Sequence, residues 1–131
     1  MSTKKVAKLL KINKKVWVGE NLIMYVIVVY VPVDHVSNVV TAMLESGAGE
    51  VGNYRACAFQ QKGIGQFQPM PGADPFIGTV GELEVLEEVR LEMVCTAANI
   101  RVALQAMMAA HPYEEVAYHV LEAKTLADFS D

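Results

Sequence analysis

The sequence has little of what most enzymes display. Its two cysteines, Cys57 and Cys95, lie far apart with no CxxC and no Cys/His ligand spacing, so they read as reduced, buried thiols rather than a disulfide or a zinc site. Four serines occur, none in a GxSxG elbow, and no lysine follows the glycines in the manner of a phosphate-binding loop, which leaves nucleophilic catalysis and nucleotide hydrolysis without a visible candidate. Charged residues make up 20% of the chain and hydrophobic ones 53%, a shift toward buried surface. The longest apolar run, Leu22 to Val33, is too short for a membrane span, is interrupted by Pro32 and is followed by no small-x-small cleavage site. No membrane span is expected, and the cytoplasm is the expected compartment.

Charge is divided unevenly. Residues 1–23 hold six lysines and one acid, whereas residues 24–131 hold five basic and fourteen acidic side chains. An acidic body excludes a nucleic-acid-binding domain, which needs a basic surface against phosphates. Residues 1–23 are expected to form a flexible basic extension, with Val6, Leu9, Leu10, Val16 and Trp17 among the lysines. Residues 24–123 form the domain, and 124–131 are a tail. At 131 residues one domain with its own core is the natural reading.

Met24 to Val31 (MYVIVVYV) is β-branched or aromatic almost throughout, marking a strand that wants cover on both faces. One face is Met24, Val26, Val28 and Tyr30, the other Tyr25, Ile27, Val29 and Val31. Asp34 is positioned to cap a helix whose apolar stripe is Val36, Val39, Val40, Met43 and Leu44, and Gly47 stops it. The glycine- and proline-rich middle, Gly47 to Gly81, predicts an extended hairpin with strand-like pieces at Tyr54–Gln61 and Gln66–Met70. In it Gly63 and Gly65 permit a tight turn or bulge. Val85 to Cys95 alternates clearly, with Val89, Leu91, Met93 and Cys95 on one face and Glu88, Arg90 and Glu92 on the other. Thr96 is placed to cap a second helix with the stripe Ala97, Ile100, Leu104, Met107 and Met108, ended by His111-Pro112. Val116 to Leu121 gives the last strand.

The order β-α-β-β-α-β predicts an α+β fold, a ferredoxin-like two-layer sandwich with two helices on one face of a four-stranded antiparallel sheet. The first and third strands are central, so an apolar face is left open. Exposing it sacrifices about 1.5–3 kcal/mol for each large apolar side chain, and self-association is the simplest remedy.

His111, Glu114, Glu115 and His119 are the only group with metal-ligand chemistry. Glu115 and His119 share a face of an extended strand but stand about 13 Å apart at roughly 3.3 Å per residue, which leaves His111 with Glu114 or Glu115, joined by Cys57 of a neighbouring subunit, as the metal-handling reading. The plainer account puts His111 at a helix C-terminus, Tyr113 in packing and the glutamates in solvent. A third reading assembles an enzyme site between subunits from His35, Tyr54, His111 and Glu115. The series Glu82, Glu84, Glu87, Glu88 and Glu92 reads as a solvated face.

Five stretches then stand in order: Gly47-Ala48-Gly49-Glu50-Val51-Gly52-Asn53-Tyr54, Cys57-Ala58-Phe59, Gly65-Gln66-Phe67-Gln68-Pro69, Pro75-Phe76-Ile77-Gly78 and His111-Pro112-Tyr113-Glu114-Glu115-Val116-Ala117-Tyr118. Together they resemble the inserted domain of YqfO-type members of the NGG-interacting-factor-three-like family, over about Met24 to Leu121. The resemblance implies a CutA/PII-like fold, trimeric assembly through the sheets, and a free-standing version of the insert. It does not bring the family's dinuclear metal site, whose ligands belong to the flanking halves, so no cofactor is expected. It points instead to a non-enzymatic binding or regulatory module for a small molecule or metal ion. The expected ligand-binding residues are Asn53, Tyr54, Gly63, Gly65, Phe67, His111, Tyr113, Glu114 and Glu115, in clefts near the glycine-rich hairpin.

Overall fold

A computed structural model describes residues 23–129; residues 1–22 of the expected basic extension and the last two residues lie outside them. The described elements are strand β1 (Met24–Pro32), a 3-10 turn (Val33–His35), helix α1 (Val36–Glu45), strands β2 (Phe59–Phe67) and β3 (Glu84–Thr96), helix α2 (Ile100–Ala110), strand β4 (Tyr118–Ala123) and a second 3-10 turn (Leu126–Asp128). The four strands form one antiparallel sheet in the order β2-β3-β1-β4, so β1 and β3 are central, as the ferredoxin-like pattern requires.

The core lies between the two helices and one sheet face. Ile27, Val29 and Val31 of β1 and Val89, Leu91, Met93 and Cys95 of β3 meet Val36, Val39 and Met43 of α1 and Ala103 and Met107 of α2. The period of two in β3 and the helical spacing of the valines and Met43 produce this division directly. Across the other face the register brings Val26 level with Val94 and Leu121, Val28 level with Glu92 and His119, and Tyr30 level with Arg90. Arg90 and Glu92 pair at 3.1 Å. Leu121 is 56% exposed and Phe59 58%, while Val28 is buried at 3%. The open face is therefore less bare at its centre than alternation alone suggests.

Neither helix starts where its expected cap stands. Asp34 sits inside the 3-10 turn, and α1 begins at Val36 with His35 at its N-cap and no side-chain cap bond. Pro32 fixes the entry and the 3-10 turn takes up the donors that a cap would have served. Thr96 ends β3 instead of starting α2; its carbonyl accepts from the Asn99 amide at 3.1 Å, and Asn99 is the N-cap. Starting α2 at Ile100 rotates its stripe onto Ala103 and Met107 and leaves Met108 44% exposed. At the far end of α1 the chain closes in a Schellman turn: the Ala48 amide donates to Met43 and the Gly47 amide to Leu44, with Gly47 at φ +96°.

Two strands also differ from expectation. β2 is a single nine-residue strand, Phe59–Phe67, rather than two pieces around a glycine turn. Gly63 and Gly65 are strand residues opposite Glu88 and Leu86, so neither makes a turn. β4 begins at Tyr118 and not at Val116. Cys95 is buried, but Cys57 is only half-buried and its thiol points to the Arg55 carbonyl; both are free. Burial first, and the nearby Glu50 carboxylate second, push the Cys95 thiol up. No described helix is long and apolar enough to cross a membrane.

Candidate functional site

β1 pairs with β3 only as far as Pro32 opposite Glu88, so β2 and β3 run on as a two-stranded arm. Its tip, residues 68–83, is tied across its base by the Gly81 amide to the Pro69 carbonyl at 2.7 Å and the Gln68 side-chain amide to the Gly81 carbonyl at 3.2 Å. Against this arm lies the segment after α2, residues 111–117, which acts as a strap. Both of its ends hold the backbone of one residue: the His111 Nε2 lies 2.7 Å from the Tyr30 carbonyl, and the Tyr30 amide donates to the Ala117 carbonyl at 3.2 Å.

His111 is buried because α2 ends there and Pro112 turns the chain over the end of β1. Its other nitrogen, Nδ1, accepts from the Tyr113 amide at 3.2 Å. An amide hydrogen can only be accepted by an unprotonated nitrogen, so the proton sits on Nε2 and donates to Tyr30. Burial lowers the imidazole from its ordinary value, His35 pushes the same way, and the Tyr30 carbonyl and Glu88 oppose. Neither ring nitrogen is free for an ion unless one of these bonds is given up, and among the described residues no three His, Cys, Asp or Glu side chains converge.

Tyr113 joins strap to arm. Its hydroxyl donates to Glu88 Oε2 at 3.0 Å, its ring meets Phe67 edge-on at 5.8 Å, and it leans on His111 at 4.9 Å. Burial, then the hydrogen bond to Glu88, raise the phenol well above its ordinary value, so Tyr113 stays a donor. The tip adds two contacts: the Asp74 amide donates to Glu114 Oε1 at 2.8 Å, and Phe76 meets the His35 ring edge-on at 5.3 Å.

Of the residues expected at a site, the structure brings together Gly65, Phe67, His111, Tyr113 and Glu114. Gly63 lies beside them on β2, and Glu115 is exposed on the strap. Asn53 and Tyr54 stand apart. Asn53 forms a two-residue turn with Gly52 (φ +57°), and Tyr54 closes it through paired bonds with Val51. That loop is attached through the Gly49 amide to Val94, six residues along β3 from Glu88, or about 20 Å. Within one chain, therefore, Tyr54 does not meet His35, His111 or Glu115. Cys57 belongs to the same distant loop, its amide bonded to Gly49.

Sequence reasoning missed Glu88, Asp74 and Phe76. Glu88 stands in an acidic series that reads as solvated, and only the register that sets it against Gly63 and diagonal to Gly65 singles it out. Asp74 and Phe76 carry no such signal, because the fold of the tip brings them to the strap.

No family model matches the chain. Among curated proteins it is 50% identical over 92 residues to a Bacillus subtilis protein named GTP cyclohydrolase 1 type 2 homolog, covering 70% of this chain and 25% of that protein. The chain thus spans about a quarter of the length of the curated relatives it matches. Among solved structures, a Bacillus cereus protein related to NIF3 superposes with TM-score 0.71 at 38% identity, covering 95% of this chain and 32% of that one. CutA from Xylella fastidiosa superposes with TM-score 0.58 at 16% identity, covering 78% of this chain and 85% of that one, a likeness of fold.

Proposed function

Because this chain carries the CutA/PII-like domain of NIF3-like proteins, we propose that it works as a non-enzymatic, oligomeric binding or regulatory module, with its ligand cleft where the strap meets the arm. The observation that carries the reading is the sheet face without a helical layer. Val26, Val94 and Leu121 lie level across three strands, beside Val28 and Tyr30, and Leu121 and Phe59 are more than half exposed. A row of that kind is what a sheet presents to another copy of itself. A trimer, with three such faces about one axis, is the assembly proposed.

The chemistry at the strap supports binding rather than turnover. His111 has both nitrogens committed to the backbone, and Tyr113 and Glu88 are committed to each other. The Tyr113 hydroxyl is held by Glu88, and burial with that bond keeps its proton on, which suits a donor and not a nucleophile. What remains to meet a ligand is the rim: Glu114, Glu115, Phe67, Phe76 and His35. The proposed occupant is a small polar molecule or a metal ion held in the cleft between subunits.

Light scattering on the purified chain tests the assembly. A trimer is expected at micromolar concentration; a monomer at tens of micromolar overturns the reading.

A further inference from the structure

The strap and the arm are joined in a way that depends on one hydrogen. The Tyr113 amide donates to His111 Nδ1 at 3.2 Å while His111 Nε2 donates to Tyr30. A second ring proton would have to sit on Nδ1, where the amide already points. Two donors would then face each other in a buried position, and each would lack an acceptor. Because Nε2 is held by the Tyr30 carbonyl at 2.7 Å and Tyr30 is paired in the central strand, the ring has the firmer anchor. The strap is the part that yields.

Tyr113 transmits the movement. Its side chain holds Glu88 and Phe67, and the residue after it, Glu114, holds the tip through the Asp74 amide. Phe76 meets the His35 ring without passing through the strap. The tip runs for 16 residues, from 68 to 83, without helix or strand, longer than most connections in compact domains.

We propose that His111 is an acid-operated release for the arm: protonation at Nδ1 expels the Tyr113 amide, Tyr113 leaves Glu88 and Phe67, and residues 68–83 come free of the strap. The charged and titratable groups that face the ring are His35, from the turn before α1, and Glu88, from β3, with Glu84 acting on Tyr113. Burial opposes the second proton, with His35 pushing the same way against the Tyr30 carbonyl and Glu88, and burial prevails, so the ring takes that proton only below its ordinary value. The release rests on the ring's own contacts, and it extends the proposed cleft by naming what opens it. Its test needs no ligand, so its failure leaves the binding proposal standing, and a monomer in light scattering leaves the release standing.

The experiment follows the His111 ring by NMR and amide exchange over residues 68–83 and 112–117 by mass spectrometry, on the full chain from pH 8 to pH 4, after correction for intrinsic exchange. Losing one charge-assisted bond corresponds to about a tenfold loss of protection. That loss is expected in both segments, with the midpoint of the His111 ring. In His111→Asn, where the side-chain carbonyl accepts without titrating, the step is expected to vanish. Should His111→Asn fail to fold, the coincidence of ring and arm midpoints in the parent still decides. An arm that stays protected through the ring's titration overturns the proposal, as does a midpoint that His35→Gln moves and His111→Asn does not.

Discussion

The Glu88 carboxylate occupies the space in which a side chain at Gly65 would stand. Gly65 lies in β2 opposite Leu86 and diagonal to Glu88, so its missing Cβ lets the carboxylate lie flat on the arm and reach Tyr113. The glycine is thus used for room. A glycine in a strand interior weakens the strand, and here the hydrogen bond it permits is the compensation. Gly65→Ala is expected to push the flexible end of Glu88 off Tyr113 and cost about 1 kcal/mol or less, whereas Gly63→Ala, with open space at its Cβ position, is expected to be neutral or slightly stabilising. Urea denaturation of the two variants checks this.

The Tyr113 to Glu88 bond is only part-buried, which limits its worth. Tyr113→Phe and Glu88→Gln are each expected to lower stability by about 1 kcal/mol, with a coupling of roughly 0.5–1.5 kcal/mol in the double-mutant cycle. Additive effects within error would mean that the two groups do not depend on each other.

How far the sequence revealed the molecule depends on how local each cause is. The period of two in Val89 to Cys95 and the helical spacing of Val36 to Met43 name the core because alternation and helical repeat are properties of neighbouring residues. Element starts were less legible: Asp34 and Thr96 are good capping residues, but Pro32 and the length of β3 decide where the helices begin. At the strap, His111 and Tyr113 could be singled out, yet their partners are the backbone of Tyr30 and a glutamate that reads as solvated. Those contacts join segments 81 and 25 residues apart through side-chain hydrogen bonds, which no local pattern encodes. The separation of Tyr54 from the strap has the same origin.

Stability should fall in mild acid, and the sign follows from His111. Burial holds the folded imidazole below its ordinary value of 6.5, so between the two values the unfolded chain binds more protons than the folded one. The contribution is complete above pH 6.5 and is lost as pH falls toward the folded value. Thermal melts between pH 7.5 and pH 5 are expected to show a falling midpoint in the parent, and a shallower fall in His111→Asn than in the parent.

Leu121 and Val102 make a matched pair for testing what the open sheet face is for. Leu121 is 56% exposed on β4, level with Val26 and Val94, whereas Val102 is 54% exposed on the outer side of α2. On exposure alone a glutamate at either position should be tolerated equally, since surface substitutions away from special contacts usually change stability by less than about 0.5 kcal/mol. If the open face meets other copies, the two variants part company. A charge at Leu121 would be desolvated against the neighbouring apolar face, at a cost of several kcal/mol per interface, and would appear in each subunit of a symmetric assembly. Leu121→Glu is therefore expected to give monomers in light scattering with the secondary structure retained by circular dichroism, while Val102→Glu keeps the assembly of the parent. Equal masses for the two variants would place the contact between copies elsewhere than on this face.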